Sequence, residues 1–134
     1  MLQKKNKRNK LWLGVLIEES LEDPAVLKQI KIVRTKRTRL EEDGSGQQLQ
    51  LHKIEVSESD VEGFCFQISQ VIRPTWYFHV VSESNMIVVF RDEILRAEKS
   101  DPESIERIIM YGTTHGVLPE QIELHRLMNN PYDE

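Results

Sequence analysis

Two nearly unbroken apolar runs, Trp76 to Val81 and Met86 to Phe90, flank the polar stretch Ser82-Glu83-Ser84-Asn85 and predict a β-hairpin. A loop of two or four residues sets its register, with Val81 opposite Met86, His79 opposite Val88 and Tyr77 opposite Phe90. Strands wetted on one side alternate apolar and polar residues. This pair hardly alternates, so both faces of the ribbon are expected to be covered, one by helices and the other by a further layer or a second copy of the chain.

Upstream, Val61, Phe64, Cys65, Ile68 and Ile72 recur at intervals of three and four, the stripe of a helix that Pro74 stops. Ser57-x-x-Asp60 and Ser59-x-x-Glu62 both have the spacing of a capping box at its start. Leu11 to Ile17 reads as a strand, and Asp23-Pro24 as the cap and first position of one or two helical turns. Lys31 to Leu40 and Leu49 to Val56 form a second hairpin around the turn Asp43-Gly44-Ser45-Gly46. There Leu49 and Leu51 take one parity and Ile54 and Val56 the other, which requires either a bulge near His52 or a strand buried on both faces.

Downstream of the core hairpin, Ile94 and Leu95 extend the sheet or leave it. Ser100-Asp101-Pro102-Glu103 opens a helix striped by Ile105, Ile108 and Ile109, which Gly112 or Gly116 ends. Leu118-Pro119-Glu120-Gln121 begins a last short helix through Ile122, Leu124 and Leu127. Strands, then a helix, a hairpin and helices, without the alternation of parallel-sheet proteins, predict α+β: an antiparallel sheet of about five strands packed against two to three helices in a single domain. That domain spans 11–128, between a flexible basic tail, 1–10, and a frayed C-terminal tail, 129–134.

At 134 residues a second domain is not expected, and 39% hydrophobic against 30% charged residues suits a globular chain. The net charge of −4 hides a split: 11 Lys/Arg against 4 Asp/Glu up to residue 40, and 7 against 18 after it. The basic part offers a nucleic-acid footprint at Lys4, Lys5, Lys7, Arg8, Lys10, Arg34, Lys36 and Arg37. Those strand residues do not share one parity, the overall pI is near 5.6, and no RNA- or DNA-binding motif is present, so a solvated tail and a charge-protected edge strand are preferred and nucleic acid is not expected as a partner. The tail followed by Leu11 to Ile17 imitates a signal peptide, but Glu18 and Glu19 follow at once without a small-residue cleavage site. The apolar run is also far below the roughly 20 residues of a membrane span. A lone Cys65 forms no internal disulfide and fits a reducing compartment; the expected location is cytoplasmic and no membrane is expected as a partner.

Signature motifs for nucleotides, phosphates, zinc or hydrolysis are missing, so no cofactor and no metal are expected. Gly44-Ser45-Gly46 lacks the lysine or helix start that phosphate binding needs. The four histidines, His52, His79, His115 and His125, have no chelating spacing between them. Of these His79 is the sharpest candidate: Tyr77 shares its face, and Arg91 with Asp92 and Glu93 leaves the partner strand nearby, a set suited to acid-base work or anion binding. Cys65 lies on an apolar stripe, where a thiol behaves as a small hydrophobe.

Through Ile72-Arg73-Pro74-Thr75-Trp76-Tyr77-Phe78-His79, Ile87-Val88-Val89-Phe90-Arg91, Tyr111-Gly112 and Gly116-Val117-Leu118-Pro119-Glu120-Gln121-Ile122, the chain resembles a group of small prokaryotic proteins of unknown function. The resemblance spans roughly residues 11–124 and implies a single α+β domain without a particular activity. A glycine usually precedes Trp-Tyr in that group; Thr75 stands here, so the turn before the strand is expected to differ. These observations favour a non-enzymatic binding or protein-interaction module that self-associates, as a homodimer or with a protein partner, through the Tyr77 and His79 face. The alternatives are a small enzyme with a pocket around His79, Tyr77 and Arg91, and an accessory nucleic-acid binder using the basic N-terminal region.

Overall fold

The computed structural model describes residues 10–40 and 47–134. Strands β1 (Leu11–Ile17), β2 (Lys31–Leu40), β3 (Gln47–Ser57), β4 (Phe78–Ser82), β5 (Asn85–Phe90) and β6 (Glu93–Glu98) form one antiparallel sheet in the order β2-β3-β1-β4-β5-β6. Helices α1 (Val61–Val71), α2 (Pro102–Thr114) and α3 (Leu124–Asn129) accompany it, with 3-10 turns at Glu18–Ser20, Pro24–Gln29 and Pro119–Gln121. The architecture is the expected α+β, with one strand more than predicted. That strand, β6, pairs Leu95 with Val88 and Ile94 with Val89, and so covers the edge that β5 would otherwise leave bare.

The core hairpin keeps the predicted register: Val81 faces Met86 and His79 faces Val88. Every residue of β4 is buried, as is all of β5 except Asn85. One face carries Phe78, Val80, Ile87 and Val89, which join Phe64, Cys65 and Ile68 of α1 and Trp12, Leu16, Ile54 and Val56 of the neighbouring strands in one core. The other carries Val81, Met86, Val88 and Phe90, which pack with Ile105 and Ile108 of α2 and Leu124, Leu127 and Met128 of α3. Both faces of the hairpin are therefore covered by this same chain, and the face reserved for a second copy is already occupied.

Strand β1 joins the two hairpins, pairing Val15 with Lys53 on one side and with His79 on the other. Gly14 permits that contact: a β-carbon there would lie 2.1 Å from the carbonyl oxygen of His79. Of the two readings offered for β3, the strand buried on both faces is the one found, while a register irregularity lies in β2 between Ile32 and Arg34. Two other local expectations are corrected. At the start of α1 the Ser57 hydroxyl donates to the Asp60 carboxylate at 3.0 Å, and Asp60, the capping residue, makes no side-chain cap bond, so the capping box does not form. The last predicted helix divides at Ile122 and Glu123 into the turn Pro119–Gln121 and α3. Asp23 does cap its turn, accepting from the Ala25 amide at 3.0 Å, although that turn is 3-10.

Helix α2 ends at Gly116, whose φ of +96° suits glycine. The Gly116 amide donates to Thr113 O and the Val117 amide to Gly112 O, a pair of bonds that closes a helix end. The turn Asp43-Gly44-Ser45-Gly46 and the basic positions Lys4, Lys5, Lys7 and Arg8 lie outside the described residues. Among the described residues, no helix is long and apolar enough to cross a membrane.

Candidate binding groove

Helices α2 and α3 roof only the β4-β5-β6 half of their side of the sheet. On the β2-β3-β1 half of that side no helix among the described residues covers the floor, and a groove of about 1260 Å3 is lined by Val15, Ile17, Leu49, Leu51 and Lys53, with Arg34, Lys36 and Thr38 from the edge strand. Its wall comes from Thr75, Trp76 and Tyr77, from Gly116 to Leu118, and from Glu120, Gln121, Glu123, Arg126 and Leu127. Cross-strand pairing arranges the floor in rows. One row runs His79, Val15, Lys53, Arg34, the next Ile17, Leu51, Lys36, and a third Leu49, Thr38.

The first row is crossed by the chain's own residues 131–134. There His79 Nε2 donates to Pro131 O at 2.9 Å, the Tyr132 hydroxyl to Ile54 O at 3.2 Å, and the Glu134 carboxylate accepts from both Lys53 and Arg34. The Lys53 ammonium also stands 5.7 Å from the centre of the Tyr132 ring. Lys53 is 7% exposed, unusual for lysine, and Glu134 supplies its counter-charge. That bond holds the Glu134 carboxyl below the usual carboxylate range, with Arg34 adding to the pull.

Of the sequence candidates, Tyr77 and His79 come together on the groove while Arg91 does not. Arg91 belongs to the opposite face, where it donates to Ile72 O at 3.2 Å and pairs with Glu22 at 3.1 Å, tying the end of α1 to the segment before it. Tyr77 donates to Gln121 O at 2.5 Å, and burial, chiefly, pushes its phenol up to about 12. Burial pushes His79 down to about 4, against the Pro131 hydrogen bond and with repulsion from Arg126. A neutral imidazole donating from Nε2 and a protonated phenol are fixed hydrogen-bond donors at working pH, so this pair orients a carbonyl more readily than it moves a proton.

The basic candidates divide as parity requires. Arg34 and Lys36 face the groove, Arg37 lies at the alternate position beside them, and Lys10 pairs with Glu83 at 3.5 Å. His52 is held between Thr35 Oγ1 at 2.7 Å and Glu18 Oε1 at 2.8 Å on the α1 side of the sheet, pinning the turn Glu18–Ser20 to β3. His115 stacks on Tyr111, ring centres 3.9 Å apart, and His125 meets Glu106 at 2.5 Å. Cys65 is buried, and burial pushes its thiol up to about 12, far from a nucleophile's range. Among the described residues no group of three or more His, Cys, Asp or Glu is placed to hold a metal ion.

Sequence reasoning missed Lys53 and residues 131–134. The signal for Lys53 was its parity, since it continues the apolar face of Leu49 and Leu51, where a lysine needs a partner. The signal for the tail was an aromatic residue beside two acids, Tyr132-Asp133-Glu134, in a segment otherwise read as solvated.

No family model, curated protein or solved structure matches this chain. The groove's function is accordingly argued from its own residues.

Proposed function

We infer that this chain is a non-enzymatic binding module that takes a short polypeptide segment into the groove on β1, β2 and β3. The observation that carries this reading is the seating of residues 131–134 there, through one carbonyl, one aromatic residue and one carboxylate. Beyond that row the floor continues through half-buried Ile17 and Leu51, edged by Lys36. Its volume of about 1260 Å3 exceeds the roughly 300–1,000 Å3 typical of small-molecule pockets, which favours a chain segment over a compact metabolite. Self-association through the Tyr77 and His79 face is not part of this reading, because α3 and Pro131 of the same chain cover it. The enzyme alternative loses its cluster with the placement of Arg91.

The test is a nuclear magnetic resonance titration of the full chain with an acetylated hexapeptide of the sequence Asn-Asn-Pro-Tyr-Asp-Glu. Millimolar peptide should shift the amide signals of Val15, Leu51, Lys53 and Lys36 and leave those of β5 and β6 in place. Absence of any shift, or shifts confined to residues outside the groove, rejects the reading.

A further inference from the structure

We propose that residues 131–134 are a built-in competitor, and that the partner segment admitted to the groove is acidic, with a side-chain carboxylate that replaces Glu134 between Lys53 and Arg34. This rests on the peptide-binding reading above and names both its ligand chemistry and its control.

Three observations carry it. The cationic end of the floor is built from two different strands and converges on one carboxylate, so the site selects a single acid. Lys53 is almost wholly buried while Glu134 is half exposed, so a ligand acid reaches the pair from outside and Glu134 leaves toward solvent, but the lysine needs an anion in either state. The segment is held by the His79 bond, the Tyr132 hydroxyl and ring, an Arg126–Asp133 ion pair and the Glu134 pairs, with turn bonds to Asn130 just before it, and apart from Lys53 the charged groups involved are half-exposed or more. Such a strap competes for a site without closing it permanently.

An acidic peptide is favoured over a nucleic-acid backbone by the rest of the groove. Glu120 and Glu123 stand in the groove wall, which repels a run of phosphates and tolerates one carboxylate, and the apolar rows at Ile17 and Leu51 suit side chains.

The experiment compares the wild-type chain with the full-length variants Glu134→Gln and Tyr132→Ala/Glu134→Gln, titrated with the acetylated hexapeptide and with a copy in which Asp and Glu are replaced by Asn and Gln. Thermal unfolding confirms that each variant is folded. The double variant should bind the acidic peptide at least tenfold more tightly than wild type, the single variant should lie between, and the neutral copy should gain much less. Adding Arg34→Ala to the double variant should erase the preference for the acidic peptide. Equal affinity of wild type and both variants overturns the competitor role while leaving the groove reading standing. Equal gain for the neutral copy overturns the acidic specificity. No binding to any of the chains removes the groove reading as well. Binding of a ten-nucleotide single strand to the double variant, without binding of the peptide, assigns the cations to phosphates and overturns the proposal.

Discussion

His79 sits on a strand buried from both sides, bonded to one carbonyl and repelled by Arg126, so its charged form is disfavoured by lost hydration first and by charge second. Its pKa falls from the ordinary 6.5 to about 4 on folding, which makes the unfolded chain the stronger proton binder between those values. The stability from neutral His79 is therefore fully present above pH 6.5 and is lost as pH falls toward 4. Linkage puts that loss at about 2 kcal/mol between pH 7 and pH 5. Urea unfolding at the two pH values checks this: wild type should lose about that much more than His79→Gln, which retains a donor for Pro131 O and does not titrate there. Parallel losses in the two chains would show that His79 is not the group responsible. The Glu134 carboxyl, held low by Lys53, acts in the same direction, since its protonation at more acid pH releases the same strap.

The loops that wall the groove meet at Thr75 and Gly116, both with positive φ, +71° and +96°. A β-branched residue pays most for that conformation, roughly 1–2 kcal/mol, and glycine pays nothing for it in the folded state. Thr75→Gly should therefore stabilise the chain, by about 0.5–1 kcal/mol after the entropy that glycine adds to the unfolded state is subtracted. Gly116→Ala should destabilise it by about 1–2 kcal/mol, because its β-carbon enters a strained backbone and stands 3.1 Å from the Thr75 methyl. Thermal melts of the two variants decide it, and a Thr75→Gly chain that melts lower than wild type would mean that the threonine side chain contributes more than its backbone costs. The positive φ at Thr75 was not legible in the sequence, because threonine is not a residue type that signals the left-handed region. Elements written in periodicity were readable from the residues alone: the register of the core hairpin, the stripe of α1 and the strand from Leu11 to Ile17. The exceptions have different causes. The Ser57 hydroxyl donates to the nearby Asp60 carboxylate instead of accepting from the helix amides, a local competition, while β6 joins the sheet by pairing with β5.

The sheet is shared unequally between stability and binding. Its β4-β5-β6 half is covered by α1 on one side and by α2 and α3 on the other, whereas the β1-β3-β2 half is covered by α1 and the 3-10 turns on one side and, among the described residues, by the strap on the other. The lack of alternation in the core hairpin foretold cover on both its faces, though the Tyr77 and His79 face was expected to meet a partner, and the groove was hidden: its floor is assembled from three strands, and its occupant lay in a segment with no periodicity. This division predicts that substitutions in the two halves separate folding from binding. Ile87 is 1% exposed, and Ile87→Ala should cost about 2–5 kcal/mol of stability through the cavity it leaves. Leu51 is only half-buried on the groove floor, so Leu51→Ala should cost about 1 kcal/mol or less yet weaken binding of the acidic hexapeptide several-fold, because the leucine contacts ligand more than core. Urea unfolding and peptide titration of the two variants give the four numbers required. Should Leu51→Ala prove as damaging to stability as Ile87→Ala while peptide affinity stays unchanged, the open half of the sheet is ordinary core, and neither the groove nor its strap is a binding device.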